Sequence, residues 1–544
     1  MNRLTAEPSA HLDQFARQHL PPADQWPDLV FDLPELQYPA RLNCVAELLD
    51  KAVAAGRGER LALRGDGISW TYADLQRQVD RIVNVLRGPL GLVPGNRVLL
   101  RGANHPMMAA AVLAVLKAGL IAVPTMPLLR ARELGVIMEK AQVQAVLCAH
   151  ALREEMEAAP GCPERTLWFN VAPAGAVPPE RSLDALMAAQ PASAAACDTS
   201  ADDICLISFT SGTTGVPKGT MHFHRDVLAI CDCFPRHTLK SAENDLFIGT
   251  PPLAFTFGLG GLLLFPLRVG AAAVLLEKLT PETLLQAIEK YGATICFTAP
   301  TFYRQMAALA GKYGLSSLKK SVSAGEALPV ATREAWQQAT GLRMIDGIGA
   351  TEMLHIFISA AGDEIRSGAT GKPVPGYRAC ILDDHGQPVG PGVVGRLAVK
   401  GPTGCRYMAD PRQRDYVLDG WNLTGDAYEM DADGYFIYRS RTDDMIISAG
   451  YNIAGPEVED ALLRHPAVAE CGVVGKADEE RGQIVEAHVV LKPGFEPSAE
   501  LTVQLQDFVK EQIAPYKYPR AIRFLSSLPR TETGKLQRFK LRST

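Results

Sequence analysis

A chain of 544 residues is too long for one compact core, so its length predicts two or more domains. Hydrophobic residues at 47% and charged residues at 21% indicate a soluble globular enzyme, and a net charge of −5 gives no reason to expect a nucleic acid as partner. The eleven cysteines include no CxxC pair, which favours a reduced, cytoplasmic protein. The N-terminus has no apolar run, which argues against secretion. The most apolar window, 258–276, contains Pro266 and Arg268, which argues against a membrane helix.

From residue 95 to roughly residue 350, short apolar runs alternate with helical patterns, which predicts parallel sheets covered by helices. The predicted strands are 97–100, 145–148, 246–248, 294–297 and 343–345, and the predicted helices are 105–119, 131–141, 281–291, 301–310 and 330–340. The helix at 281 is the best marked, with Thr280 as its cap, Pro281 at its first position and Gly292 at its end. The stretch 158–196, rich in proline and alanine, predicts an irregular connection.

Two further changes of pattern occur towards the C-terminus. Short β-like runs over 371–438 predict a smaller β subdomain, and the last hundred residues return to an α/β pattern with helices near 456–464 and 500–513. The expected fold class is therefore α/β. A large N-terminal domain of helix-covered β-sheets with a β subdomain (1–440) precedes a small mobile C-terminal α+β domain (441–544).

The segment 210–219 combines hydroxylated residues, glycines and Lys218 directly after an apolar run that predicts a buried strand, 204–209. Glycine allows backbone N–H groups to converge on phosphate oxygens, so this loop could hold a polyanion. It is not a Walker A loop, because no Ser or Thr follows Lys218. Taken alone, the composition also fits a mobile surface turn.

A second glycine-rich segment, 346–352, ends in Thr351 and Glu352 after a predicted strand. A carboxylate beside a hydroxyl suits a magnesium–phosphate site, although a glycine turn with a surface glutamate fits the same letters. Asp426 stands in a Thr-Gly-Asp run. Near the C-terminus, Lys535 lies in a tail rich in glycine and threonine, where a lysine taken alone is usually solvated.

Five motifs resemble, in this order along the chain, the signatures of the adenylate-forming superfamily. They lie at 210–219, 323–327, 346–352, 424–426 with 441–448, and 529–535. This superfamily comprises acyl-CoA synthetases, adenylation domains of peptide synthetases and luciferases. The resemblance covers the chain after its first forty residues. It implies that ATP is bound by Thr210, Ser211, Gly212, Thr213, Thr214, Lys218, Ser323, Ala324, Gly325, Glu326, Asp346, Gly347, Ile348, Asp426 and Arg441.

The same resemblance implies roles in catalysis and domain movement. Thr351, Glu352 and Lys535 would be catalytic, with Glu352 also holding Mg²⁺. Asp443 would be the hinge between the two domains. A tunnel for CoA would run along Ser448, Gly450 and Tyr451.

Substrate choice depends on three segments, 251–260, 323–329 and 346–357, which most resemble the benzoate–CoA ligase branch and, within it, 2-aminobenzoate–CoA ligases. The implied acid pocket comprises Ala254, Phe255, Phe257, Ala324, Gly325, Gly349 and His355. Ala254 is small where related benzoate ligases tend to be bulky, which would leave room for an ortho substituent. Ile348 departs from the aromatic residue that is usual at its position, so aromatic stacking on adenine is not expected there.

The expected reaction is ATP-dependent activation of an aromatic carboxylic acid, 2-aminobenzoate or benzoate, to its CoA thioester through an acyl-adenylate, with release of AMP and pyrophosphate. The expected partners are this acid, ATP, CoA and Mg²⁺, in a monomer or homodimer without nucleic acid or membrane. An alternative is an adenylation enzyme that loads an aryl acid onto a carrier-protein thiol. A non-catalytic nucleotide sensor would be expected to lack Lys535, Glu352 or Asp426, and all three are present.

Two closely spaced histidines could suggest a metal site. His222 and His224 stand two residues apart, but the sequence shows no third ligand beside them, which predicts structural or exposed histidines.

Overall fold

The structure, a computed structural model, describes residues 8–65, 67–211, 217–442, 444–448, 451–478, 481–513, 515–530 and 536–542. Six predicted site residues lie outside these ranges, namely Gly212, Thr213, Thr214, Asp443, Gly450 and Lys535. At Ser211 and Tyr451 only the backbone is described.

The strands follow in chain order. Those before residue 300 are β1 (Leu61–Gly65), β2 (Ile68–Thr71), β3 (Arg97–Arg101), β4 (Ile121–Thr125), β5 (Ala145–Ala149), β6 (Thr166–Phe169), β7 (Ile204–Ser211), β8 (Pro217–Phe223), β9 (Leu246–Gly249), β10 (Ala272–Val274) and β11 (Ile295–Thr298). The remainder are β12 (Lys320–Ala324), β13 (Met344–Gly349), β14 (Ile356–Ser359), β15 (Lys372–Pro373), β16 (Arg378–Leu382), β17 (Val394–Lys400), β18 (Val417–Leu418), β19 (Trp421–Met430), β20 (Phe436–Arg441), β21 (Ile446–Ser448), β22 (Tyr451–Ile453), β23 (Val468–Asp478), β24 (Gly482–Leu491) and β25 (Ala521–Phe524).

The α-helices are α1 (Phe15–Gln18), α2 (Tyr72–Arg87), α3 (Pro106–Lys117), α4 (Ala131–Ala141), α5 (Arg153–Glu157), α6 (Leu183–Ala188), α7 (His224–Asp232), α8 (Thr256–Leu259), α9 (Phe265–Val269), α10 (Pro281–Tyr291), α11 (Pro300–Ala307), α12 (Val330–Thr340), α13 (Gln413–Tyr416), α14 (Gly455–Leu463), α15 (Ala499–Gln512) and α16 (Arg538–Arg542). In the described ranges, none of them combines the length and apolar character that a membrane crossing requires.

Two largely parallel sheets form the first part of the molecule. Over the described residues, one has nine strands in the order β15-β14-β13-β12-β11-β9-β10-β1-β2, and the other has six in the order β6-β5-β3-β4-β7-β8. Helix α3 touches strands of both sheets, and all of its residues are buried. Its one charged residue, Lys117, is neutralised by Asp50 and Asp80 at 2.7 and 2.6 Å, as a buried cation requires.

Two smaller sheets follow. The antiparallel order β16-β17-β19-β18, with β20 paired to β19, forms the predicted β subdomain. Strands β22-β21-β24-β23, with β25 beside β24, are covered by α14 and α15 around a separate hydrophobic core that includes Val458, Val485 and Leu505. The predicted α/β class, with a large N-terminal and a smaller C-terminal part, is confirmed.

Most predicted elements lie within a residue or two of the observed ones, because their apolar periodicity coincides with clear caps. Helix α10 occupies the predicted range; Thr280 caps it and Gly292 ends it at a φ of 70°. The prediction of an irregular connection over 158–196 was wrong in part. That stretch contains β6, which pairs in parallel with β5, and α6, which Ser182 caps. The many prolines beside this short strand hid its pattern.

Candidate active site

The predicted phosphate loop joins the two strands of a hairpin. Thr210 pairs with Lys218 across β7 and β8, and Ser211 pairs with Pro217. The hydroxyl of Thr210 is buried and has no hydrogen-bond partner among the described residues. Because buried hydroxyls are normally hydrogen-bonded, this group is a candidate contact for a polar ligand.

Lys218 and Glu352 meet through a residue that the sequence did not reveal. The ammonium group of Lys218 donates a 2.7 Å hydrogen bond to the phenolic oxygen of Tyr407, whose O–H donates in turn to the carboxylate of Glu352. The Lys218 nitrogen lies 3.8 Å from the same carboxylate oxygen. Tyr407 is 189 residues from Lys218 and 55 from Glu352, so no local pattern could have indicated it.

The segments at 323–327 and 346–352 are neighbours because β12 and β13 are parallel and adjacent. Ser323 lies beside Asp346, and Ala324 lies beside Gly347. Two close contacts require glycine here. A Cβ at Gly347 would lie 2.7 Å from the side chain of Ile356, and one at Gly349 would lie 2.8 Å from the backbone of His355.

Burial is the main influence on the ionisation of Asp346 on β13. It raises the pKa of Asp346 to about 7, although the positive charge of Arg333 acts in the opposite direction. The hydroxyl of Ser323 is buried and has no hydrogen-bond partner among the described residues. Glu326 accepts a 2.6 Å hydrogen bond from the hydroxyl of Thr301.

Asp426 and Arg441 form a cross-strand pair between β19 and β20. Arg441 donates to the Asp426 carboxylate at 3.1 Å and to the carbonyl oxygen of Thr424 at 3.0 Å. Gly425 has a φ of 76°, and a Cβ there would lie 2.6 Å from the Arg441 guanidinium. The Thr-Gly-Asp motif therefore has its glycine for a local steric reason.

The predicted acid pocket borders an aromatic cage around His355. The imidazole ring centre lies 4.4 Å from that of Phe265, 5.8 Å from that of Phe257 and 6.0 Å from that of Phe234. Gly260 also faces the ring, because a Cβ there would lie 2.4 Å from it. Ala324 is buried, whereas Ala254 and Phe255 are half-buried at the start of α8.

His355 is neutral in this cage. Burial lowers the pKa of its imidazole to about 3. Its Nε2 lies 3.4 Å from the carbonyl oxygen of Phe257, which can only accept, so Nε2 carries the hydrogen. Nδ1 is then a buried acceptor without a partner among the described residues.

The C-terminal part of the chain reaches the nucleotide side of this region. Arg530, five residues before Lys535, lies 3.6 Å from the carboxylate of Glu326. The backbone N–H of Ala331 donates to Asp460 of α14 at 3.2 Å. Ser448 is buried on β21, and its hydroxyl has no partner among the described residues.

His222 and His224 are both buried, and among the described residues His224 has neighbours that could bind a metal. Cys44, Cys205 and His224 bring their potential ligand atoms within 4.8 Å of one another, which the sequence did not show. The backbone N–H of Cys44 donates to Nδ1 of His224 at 3.2 Å, and the Cys44 thiol lies 3.1 Å from the same atom. Because that lone pair is already engaged, the cluster is best described as a hydrogen-bonded part of the core.

Comparison with known proteins agrees with this geometry. A family model described as AMP-binding enzyme matches residues 50–407, and one described as AMP-binding enzyme C-terminal domain matches residues 457–535. The benzoate–CoA ligase of Thauera aromatica is 37% identical over 94% of this chain and 97% of its own length.

Two crystal structures are similar over almost the whole chain. That of an anthranilate CoA ligase in complex with anthranoyl-AMP has a TM-score of 0.88 and 34% identity, and covers 94% of this chain and 98% of its own. That of a benzoate CoA ligase from Burkholderia xenovorans LB400 has a TM-score of 0.84 and 33% identity, and covers 92% of this chain and 100% of its own.

The chain therefore belongs to the AMP-binding enzyme family, in the benzoate–CoA ligase branch of the adenylate-forming superfamily. The expected enzyme class, an AMP-forming acid–CoA ligase, is confirmed by these relatives.

Proposed function

We propose that the protein activates an aromatic carboxylic acid with ATP to an aryl-adenylate and transfers the aryl group to CoA. The observation that supports this most is the chain of contacts from Lys218 through Tyr407 to Glu352. It joins the hairpin that carries the phosphate motif to the turn that carries Thr351 and Glu352. A cation, a hydroxyl and a carboxylate thus lie together, and such a set would suit a triphosphate and its counter-ion.

In the first half-reaction, an oxygen of the aryl carboxylate attacks the α-phosphorus of ATP and pyrophosphate leaves. Thr210 and Lys218 would hold the triphosphate, and Asp426 would accept bonds from the ribose hydroxyls. Lys535 would stabilise charge in the transition state. Arg530 and its contact with Glu326 would bring the segment that carries Lys535 to the nucleotide.

The donor set fits Mg²⁺, which commonly takes one or two carboxylates and shares phosphate oxygens. Glu352 would hold it, because this carboxylate is buried to all but 8% and is already oriented by Tyr407. When bound, the ion would neutralise negative charge on the triphosphate.

In the second half-reaction, the sulfur of CoA attacks the carbonyl carbon of the adenylate, and AMP leaves. We propose that the small domain (441–544) rotates on the large domain (1–440) about Asp443 between the two steps. This rotation would withdraw Lys535 and open the tunnel along Ser448, Gly450 and Tyr451. Hinge movements of this kind often set turnover rates.

We further propose that 2-aminobenzoate is preferred to benzoate. The support is His355, whose neutral imidazole offers an unpaired acceptor at Nδ1 within an apolar cage. An amino substituent on the ring could donate to it, whereas benzoate would leave it unpaired. Half-buried Ala254 would leave space for the substituent. A polar pocket group that loses its partner discriminates more strongly than apolar walls do.

The test is a screen of the purified enzyme with ATP, CoA and benzoate, 2-aminobenzoate, hydroxybenzoates, phenylacetate or short fatty acids. We expect AMP and aryl-CoA, with the highest kcat/KM for 2-aminobenzoate. A higher kcat/KM for benzoate would refute the substrate proposal, and activity on fatty acids alone would refute the aryl class. Transfer to a carrier-protein thiol but not to free CoA would establish the alternative acceptor.

A further inference from the structure

Tyr407 stands between two groups of opposite charge that would otherwise bind each other. The distance of 3.8 Å between the Lys218 nitrogen and the Glu352 carboxylate is too long for a direct hydrogen bond. The phenol fills the gap, accepting from Lys218 and donating to Glu352. Both bonds are assisted by charge and are therefore stronger than those between neutral groups.

The backbone around Tyr407 is held in place independently of this contact. Residues 406 to 408 lie along β8, where Thr220 pairs with Tyr407. The N–H of Met221 donates to the carbonyl oxygen of Arg406, and that of Met408 donates to the carbonyl oxygen of Gly219, both at 2.8 Å. The hairpin that carries Lys218 therefore also carries the phenol.

Two buried side chains fix the position further. Arg406 forms a 2.7 Å ion pair with Asp226, and both side chains are fully buried. Gln413, also buried, accepts a 2.8 Å hydrogen bond from the N–H of Tyr407. The backbone of Tyr407 is thus fixed by buried neighbours rather than by the groups that its phenol bridges.

The phenol stays protonated. A tyrosine hydroxyl has an ordinary pKa of about 10, so it is protonated near neutral pH. The O–H group of Tyr407 can therefore donate to the Glu352 carboxylate while its oxygen accepts from the Lys218 ammonium group.

We propose that Tyr407 is a positioning residue that keeps Lys218 and Glu352 apart, so that one remains available to phosphate and the other to a divalent cation. Without the hydroxyl, Lys218 and Glu352 would move from 3.8 Å to hydrogen-bonding distance and form a direct ion pair in this partly buried setting. Nucleotide and cation would then have to break that pair before they bind. The inference rests on the proposed function, because it takes Glu352 as the ligand of the cation.

The test compares Tyr407→Phe with Tyr416→Phe. Tyr416 is the matched control because its ring packs against that of Tyr407, with centres 5.8 Å apart, while its own buried hydroxyl has no partner among the described residues. Each substitution keeps the ring and removes one oxygen. Thermal unfolding without ligands verifies that both variants fold.

Titration calorimetry measures ATP binding at fixed Mg²⁺, and acid-dependent pyrophosphate exchange gives the half-saturating Mg²⁺ concentration. For Tyr407→Phe we expect both the Kd of ATP and that Mg²⁺ concentration to rise about tenfold, as loss of a hydrogen bond to a charged group implies. For Tyr416→Phe we expect changes below about twofold. The KM of the aryl acid at saturating ATP and Mg²⁺ should stay unchanged in both.

An unchanged Mg²⁺ requirement in Tyr407→Phe would overturn the proposal. So would an equal change in both variants, because that would assign the effect to packing. A second measurement is the double variant Lys218→Met with Tyr407→Phe. If the phenol acts by restraining Lys218, the two effects should be clearly less than additive, whereas full additivity would contradict the proposal.

Failure of the proposed function would look different. It would leave the unaltered protein without aryl-adenylate formation for any acid tested, while the calorimetric comparison of ATP binding would still decide the role of Tyr407.

Discussion

The nucleotide side and the aryl side of this site are built on opposite principles. On the nucleotide side, charged groups are paired through fixed contacts, such as Lys218 with Tyr407 and Asp426 with Arg441. On the aryl side, a single neutral imidazole lies among phenylalanine rings. The first arrangement suits a highly charged ligand such as a triphosphate. In the second, the proposed preference for 2-aminobenzoate would depend on one acceptor atom, Nδ1 of His355.

The largest effect is expected from removing Lys535, the proposed catalytic cation of the nucleotide side. Lys535→Ala should slow aryl-adenylate formation about 10²- to 10³-fold or more, because charge in the transition state loses its stabilising partner. Thioester formation from preformed aryl-adenylate should change little. Separate single-turnover assays of each half measure this, with Lys540→Ala as an exposed control nearby. Equal losses in both halves would contradict the role given to Lys535.

A smaller effect should follow from changing the ribose partner. Asp426→Asn should raise the KM for ATP about tenfold with little change in kcat, because a neutral amide is a weaker acceptor than a carboxylate. Glu429→Gln is the matched control on the same strand, since Glu429 also pairs with an arginine of β20, Arg439. Comparable changes in KM for both variants would indicate a general effect on the sheet.

On the aryl side we expect a change of preference rather than of overall rate. His355→Leu should lower kcat/KM for 2-aminobenzoate about tenfold relative to benzoate, because the acceptor at Nδ1 is removed. Phe265→Leu alters the wall of the same cage without removing a polar atom. The ratio of kcat/KM for the two acids is the measurement, and an unchanged ratio in His355→Leu would refute this role.

The last expected effect concerns stability rather than turnover, at the border between the two regions. The folded-state pKa of Asp346, about 7, exceeds the ordinary value of 3.8, so the folded state binds more protons between about pH 4 and pH 7. The free energy of unfolding should therefore fall as pH rises through this window.

Asp346→Asn should remove this decrease in the free energy of unfolding, which amounts to about 3 kcal/mol between pH 5 and pH 8. Urea denaturation of nucleotide-free protein at both pH values measures it, beside Asp433→Asn on an exposed turn. A pH dependence that persists unchanged in Asp346→Asn would place its origin elsewhere.

Prediction from the sequence succeeded where all the residues that define an element or motif lie within one short segment. Helix α10 was predicted because its proline, cap and glycine lie within one segment. The glycines at 347 and 349 mark a motif that needs close backbone approach. By contrast, β6 was missed because a strand of four residues among prolines has too few positions for a period to appear.

The sequence by itself determined the family, the α/β class and the polar groups expected to bind ATP, because a phosphate site needs a few residue types in a fixed local order. Only the tertiary structure revealed Tyr407, the cage around His355 and the pairing of Cys44 with His224. These contacts join segments far apart in the chain. Which distant side chain fills a gap depends on how strands and helices pack, and packing leaves no periodic signal in the sequence.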